Sequence, residues 1–453
     1  MIIVRTNEYF FKPAAGVLQG EILSSYMFSI FINDLPKALA SPNVNPNEIL
    51  INLLMYADDM CCLSYSRQGL QEALNKLSNY CNKWGLTVNT AKTKCMAFRK
   101  NGRLYAADKW NYNDELLETV KEFKYLGYNL SASGSSTNGT KDLRTRGLKA
   151  IFNIKCICQK NKEITPKIQL HFFDTLVKPV LNYACEVWGG SQANPLETIY
   201  LRYLKQVLGV RQTIPNAYIY GELGAYPLYI DRYVRMVKYW LKVISSTNTS
   251  LIHVVYKHLK DDIENDANVN NWASKIKHIL ESNGFGYIWL QQCINTSDDS
   301  FIRILKQRLT DQYLQIWNDE IEKTSNNRMY KLIKNAFGYE EYLDILNNSS
   351  LRKALAKIRL GSHNFMVERG RWGIPKVDYN QRKCTDCLCI EDEYHCIIEC
   401  PRFQVQRKNL PPNITIKPSM WKFILLLKTN NVQDTLKLAI TCSKILAHYE
   451  TFK

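Results

Sequence analysis

Two short apolar runs near the start of the chain, Ile49-Leu50-Ile51-Asn52-Leu53-Leu54-Met55 and Met60-Cys61-Cys62-Leu63, flank Tyr56-Ala57-Asp58-Asp59. This pattern predicts strand, tight turn and strand. Leu70, Ala73, Leu74, Leu77, Tyr80, Cys81 and Trp84 then recur at helical spacing, which predicts an amphipathic helix over residues 67–84 with Ser66 as its cap. Residues 131–139, Ser-Ala-Ser-Gly-Ser-Ser-Thr-Asn-Gly, read as a linker. Beyond it the pattern turns helical almost throughout. Thr140 opens a basic helix carrying Lys141, Arg144, Arg146, Lys149 and Lys155, and Thr165-Pro166 starts another that ends near residues 186–190. Further helices are expected at 195–208, 228–246, 270–282, 300–323 and 327–336, with one or two closing helices in 417–450. The expected fold class is α+β.

Composition changes the picture in one respect. Apolar content of 46% and charged content of 22% are ordinary, but the net charge of +17 is not. It points to a polyanion partner, nucleic acid first. No segment has the apolar length of a membrane span, and Met1-Ile2-Ile3-Val4-Arg5 lacks the layout of a secretory signal. Fourteen cysteines without such a signal fit a reducing compartment, with metal ligation for a subset.

Chemistry concentrates at two places. Adjacent carboxylates at Asp58 and Asp59 within an apolar hairpin repel each other and resist burial, which a divalent metal relieves. The competing reading is a polar turn, since Asp favours turns. The second place is Cys384-x₂-Cys387-x₇-His395-x₄-Cys400, three thiolates and an imidazole that complete a tetrahedral shell for structural Zn²⁺. Cys389 and Cys396 are spare thiols able to substitute. Just ahead lies a basic stretch with an aromatic, including Arg359, His363, Arg369, Arg371 and Trp372, suited to phosphate contact and base stacking. His363 receives no ligand role.

Gly16-Val17-Leu18-Gln19-Gly20-Glu21-Ile22-Leu23-Ser24, Phe28 to Pro36, Tyr56 to Asp59, Trp84 to Asn89 with Lys92-Thr93-Lys94, and Phe123-Lys124-Tyr125-Leu126-Gly127 follow one another in an order that resembles the palm motifs of reverse transcriptases from non-LTR, LINE-like retrotransposons. The resemblance covers about residues 10–130. Tyr203 to Val210 and Tyr220 to Gly224 are similar to the thumb and post-thumb region of the same elements, many of which carry a Cys/His knuckle after the polymerase.

The resemblance implies RNA-directed DNA synthesis, a nucleotidyl transfer using an RNA template, a DNA primer and deoxynucleoside triphosphates. It implies Mg²⁺ on Asp58 and Asp59, and a pocket beside the nascent pair shaped by Gly16, Gln19, Gly20 and Tyr56. Lys94 is a candidate for contacting the triphosphate or donating a proton. A ribonucleoprotein of nucleus and cytoplasm is the implied setting. The expected organisation is a partial palm at 1–130, a helical thumb and post-thumb at 131–345, a basic segment and knuckle at 346–410, and a helical tail at 411–453. Departures accompany it. The family's first palm motif, source of a third Asp, is not found before the Gly-rich segment. Leu18, Glu21 and Ser25 stand where the family usually has Pro, Ser and often Pro. The reading is therefore of an incomplete or degenerate copy, expected to be inactive as this isolated chain. The alternative is a non-catalytic nucleic-acid-binding remnant. Oligomeric state is not legible.

Overall fold

The computed structural model describes residues 4–5, 10–11, 21–39, 52–161, 164–190, 193–266, 268–324 and 328–450. It is an α+β protein of two compact units, Met1–Asn138 and Gly139–Lys453. The boundary falls inside the stretch that the sequence marks as a linker.

In the first unit, Leu53–Tyr56 pairs antiparallel with Asp59–Cys62 in the register Leu53↔Cys62 to Tyr56↔Asp59. Leu53, Met60 and Cys62 pack onto a core of Leu35, Leu39, Leu74, Leu77, Tyr80, Cys81, Cys95, Trp110, Tyr112 and Leu117. The helix beneath runs Arg67–Trp84. The Ser66 side chain accepts from the Gly69 amide, and Gly85 ends the helix at φ 66°. A three-stranded sheet puts Glu115–Thr119 in the centre, antiparallel to Trp110–Tyr112 and parallel to Lys94–Cys95. Glu122–Tyr125 and Tyr128–Ser131 form a hairpin whose turn, Leu126-Gly127, takes φ 44° and 81°. Those are left-handed values that a two-residue hairpin turn demands.

Helix Thr137–Lys160, all but its first two residues in the second unit, starts three residues earlier than Thr140. Thr165 caps a helix that starts at Pro166 as expected and runs through a π-helical stretch, Phe173–Val177, to Leu181; a turn with Ala184 at φ 54° then leads into Cys185–Trp188. Asn194–Leu208, Leu228–Ile244, Trp272–Ser282, Asp298–Lys323 and Arg328–Ile333 lie close to the helices read from periodicity. Asn216–Leu223 was not expected. Every residue from Ala217 to Leu223 is buried, so its sequence has no polar face from which to read a period. Ser349–Arg359, Met420–Leu427 and Val432–Glu450 complete the unit.

Three of these segments, Asn216–Leu223, Ser349–Arg359 and Met420–Leu427, meet at one guanidinium together with Glu340 and Tyr342. Arg359 is 1% exposed. Its Nε donates to Glu222 Oε1 at 2.6 Å and its Nη2 to Glu340 Oε2 at 2.6 Å. Nη1 donates to the Leu427 carbonyl, and the Tyr342 ring lies 5.0 Å from the guanidinium carbon. Lys334 Nζ donates to the other oxygen of Glu340. Two cations therefore meet two carboxylates, and the buried charge balances. Removing one member strands the others in a low-dielectric interior, which costs roughly 3–5 kcal/mol. Arg359→Met is accordingly expected to lower the denaturant midpoint of the second unit, with roughly that loss of stability. An unchanged midpoint in chemical unfolding would show that the cluster does not hold these segments together.

Candidate functional site

The aspartate turn is built by strand register. With Tyr56 opposite Asp59, only Ala57 and Asp58 remain for the loop, and Ala57 takes the left-handed φ of 53°. An alanine there is strained by roughly 1 kcal/mol, and such strain gathers where a turn must present a side chain. Asp58 sits in the turn and Asp59 opens the returning strand, on the face away from the core, with both exposed. Tyr56 is 66% exposed beside them. The burial argument made from sequence is thus corrected: solvent already reaches both carboxylates, and their position by itself does not require a metal.

Asp34, in the turn after helix Ser24–Phe31, accepts a hydrogen bond from the Tyr80 hydroxyl. Burial and the Asp34 carboxylate push that hydroxyl up to about 12, so it stays a donor and keeps Asp34 engaged. Lys94 Nζ donates to the Ala91 carbonyl at 2.9 Å and to Glu118 Oε2 at 2.6 Å. Asp108, a buried acid of this unit, is gripped by both Nη atoms of Arg99 and by the Tyr105 amide. Arg99 holds its carboxyl below the usual range. Gly16, Gln19 and Gly20 lie outside the described residues.

The knuckle brings Cys384, Cys387, His395 and Cys400 together, with one ligand atom from each within 4.8 Å of all the others. Among the described residues this is the only such group of three or more. The Cys384 amide donates to the Cys389 carbonyl at 2.8 Å and the Leu388 amide to the Cys384 carbonyl at 3.0 Å, with Leu388 at φ 57°. These bonds fold the Cys-x₂-Cys segment over on itself. Arg402 ties that turn to the far side of the site, through Asp386 Oδ2 at 2.8 Å and Thr385 Oγ1 at 2.6 Å. The His395 amide donates to Asp392 Oδ1 at 2.8 Å and the Cys400 amide to the His395 carbonyl at 2.8 Å. Burial and the nearby Cys384 push the Cys400 thiol up to about 12, a preference for the proton that a divalent cation inverts. Of the spare thiols, Cys396 is buried and turned to the Tyr449 hydroxyl. The Cys389 sulfur lies 3.1 Å from His395 Nδ1, outside the group of four.

Residues 1–130 match the family described as reverse transcriptase (RNA-dependent DNA polymerase). Over 212 residues, 44% of this chain, it is 25% identical to the RNA-directed DNA polymerase from mobile element jockey of Drosophila melanogaster. It is 22% identical over 220 residues to the probable RNA-directed DNA polymerase from transposon X-element of that species, 46% of this chain and 23% of that protein. With the Pol polyprotein of the type-2 retrotransposable element R2DM, also from Drosophila melanogaster, the match is 25% over 338 residues and 71% of this chain. The chain is thus similar to RNA-directed DNA polymerases of non-LTR retrotransposons. The R2DM match is longer than residues 1–130, so the likeness continues into the helical unit. The chain spans about a quarter of the length of these relatives, 22% for jockey and 27% for R2DM.

The basic stretch divides sharply. Arg359 does not contact nucleic acid as expected, because its side chain is buried and committed to Glu222, Glu340 and Leu427. Arg371 is held by both oxygens of Glu368 at 2.9 and 3.0 Å. Arg369 is exposed, and Trp372 is 53% exposed with the Arg211 guanidinium 5.1 Å from its ring centre. His363 is a core histidine, its Nε2 2.9 Å from Glu393 Oε1. The burial of Arg359 had a signal. Arg352, Leu355 and Arg359 share one helical face with Ala356 and Ile358, and Glu222 sits within Tyr218-Ile219-Tyr220-Gly221-Glu222-Leu223. Arg211 had none, since its partners lie 150 residues and more along the chain.

Proposed function

We infer that this chain supplies part of a retrotransposon reverse transcriptase: Asp58 and Asp59 as ligands of catalytic Mg²⁺, the helical unit and knuckle as the nucleic-acid grip. The observation that carries the reading is a two-residue turn presenting adjacent exposed carboxylates within the segment that matches the reverse transcriptase family. In such a site Mg²⁺ activates the primer's 3′-oxygen and steadies the departing pyrophosphate. The residues here would hold the ions and align the primer end, with Tyr56 beside the incoming nucleotide. The engagement of Asp34 by Tyr80 and of Asp108 by Arg99 favours a second reading, nucleic-acid binding without catalysis.

Primer extension separates the two. With two carboxylates against four metal charges, the 453 residues alone are expected to bind template–primer without extending it. Joined to an upstream polymerase segment that carries a third carboxylate, they are expected to extend it. Asp58→Ala should then lower the rate by at least roughly a hundredfold. Extension by the 453 residues alone, lost on Asp58→Ala, would mean that another acid completes the site.

For the knuckle, the ion best matched is Zn²⁺. Cys384 and Cys387 sulfurs each lie 3.9 Å from the Cys400 sulfur. A tetrahedron with ~2.3 Å metal–sulfur bonds has an edge of about 3.8 Å. Four protein donors leave no open position, so the role is structural. Metal analysis of reduced protein is expected to find about one zinc per chain, released by acid as His395 and the thiolates take up protons. Replacing Cys384 and Cys387 together should remove it, and zinc-free native protein would refute the assignment.

Net charge +17 predicts binding to RNA and RNA–DNA duplex that weakens steeply with salt and depends little on sequence. Arg369→Ala is expected to reduce the slope of log affinity against log salt by about one, and Arg371→Ala by less, because Glu368 already neutralises Arg371. Equal slopes for all three proteins would place the contact elsewhere.

A further inference from the structure

A cleft of about 520 Å³ opens in the second unit between the Gly209–Arg211 loop, the end of helix Ser349–Arg359, helix Met366–Trp372 and the last helix. Its size suits a small planar ligand, within the roughly 300–1,000 Å³ of such sites. Arg211, Lys357 and Arg369 line it, with Asn364, Trp372 and Tyr449, and no carboxylate is among its lining residues.

Arg211 is set into the wall by its own loop. Its amide donates to Ser362 Oγ at 2.9 Å, and its Nη2 donates to the carbonyls of Gly361 and His363 at 3.0 and 3.1 Å. The two Nη2 bonds use one side of the guanidinium. Nε and Nη1 are buried and have no protein acceptor. A cation with two unanswered buried donors is costly unless an anion or a polar ligand meets it. The same guanidinium lies over the Trp372 ring at 5.1 Å, yet the residue keeps 53% of its surface exposed. One side of the indole is backed by charge and the other remains for a second flat group. Wall donors, flanking cations and an aromatic platform form the combination that takes an unstacked nucleotide, with the base on the indole and the phosphate among the cations.

We propose that this cleft is a single-nucleotide subsite for single-stranded nucleic acid, with Trp372 as the base platform and Arg211, Lys357 and Arg369 around the phosphate. The proposal rests on the nucleic-acid reading above and narrows it. A base paired in a duplex cannot leave its stack to reach Trp372 without unpairing, so the subsite discriminates single strand from duplex.

The test is fluorescence anisotropy on the full chain with three probes of equal length: an oligothymidylate, the same backbone made entirely of abasic residues, and a duplex. Trp372 is exposed, so Trp372→Ala leaves the fold intact, which unchanged zinc content and thermal unfolding would verify. Trp372→Ala is expected to weaken oligothymidylate binding on the order of tenfold. Abasic and duplex binding should hold within about twofold, with the salt slope unmoved, and Trp372→Phe should restore most of the loss. Equal oligothymidylate affinity for wild type and Trp372→Ala would overturn the subsite, as would an equal loss on all three probes. If the wild-type chain binds none of the probes at low salt, the nucleic-acid reading itself falls. If it binds the oligothymidylate and the abasic strand equally, only the subsite does.

Discussion

The second unit is organised around a buried ionic cluster. Glu222 is wholly buried at the end of a helix that has no polar face, and Glu340 lies in the segment that pairs back onto it, the Glu340 amide donating to the Glu222 carbonyl at 3.1 Å. Two carboxylates in that setting are intolerable without cations. Arg359 and Lys334 supply them, and the fork of Arg359 fixes direction as well as charge. By reaching the Leu427 carbonyl the same side chain also anchors helix Met420–Leu427. Helix Ser349–Arg359 therefore has one permitted rotation about its axis. That rotation places Lys357 at the cleft and sets the course of the Gly361–Asn364 segment onto which Arg211 bonds.

The knuckle is tied into this frame. The last helix packs along Ser349–Arg359, and its Tyr449 hydroxyl donates to Glu391, which also accepts the Met366 amide at 2.9 Å. The metal-ligand cluster, the Met366–Trp372 helix and the cleft are thus one mechanical neighbourhood. An ion at the four ligands would stiffen the segment between Cys384 and Cys400, and through Glu391 the helix bearing Arg369 and Trp372. The first unit, described by itself, uses a different device. There, strand register alone leaves Asp58 and Asp59 exposed at one end of a hairpin, while Leu53, Met60 and Cys62 hold its other face to the core.

The sequence by itself determined what local rules control. Register and turn length follow from two apolar runs around Tyr56-Ala57-Asp58-Asp59. Helix Arg67–Trp84 follows from its period and its Ser66 cap, and the four-ligand cluster from ligand spacing, because each depends on residues near one another in the chain. Tertiary structure alone decided which charges are free to act. Arg359, Arg369 and Arg371 look alike in a basic stretch, yet one is a buried structural cation, one is exposed and one is neutralised by Glu368. Arg211, absent from any motif, became part of the cleft. A side chain's charge is local, but its burial and its partners are set by segments as far as 152 residues away, and no spacing rule carries that distance.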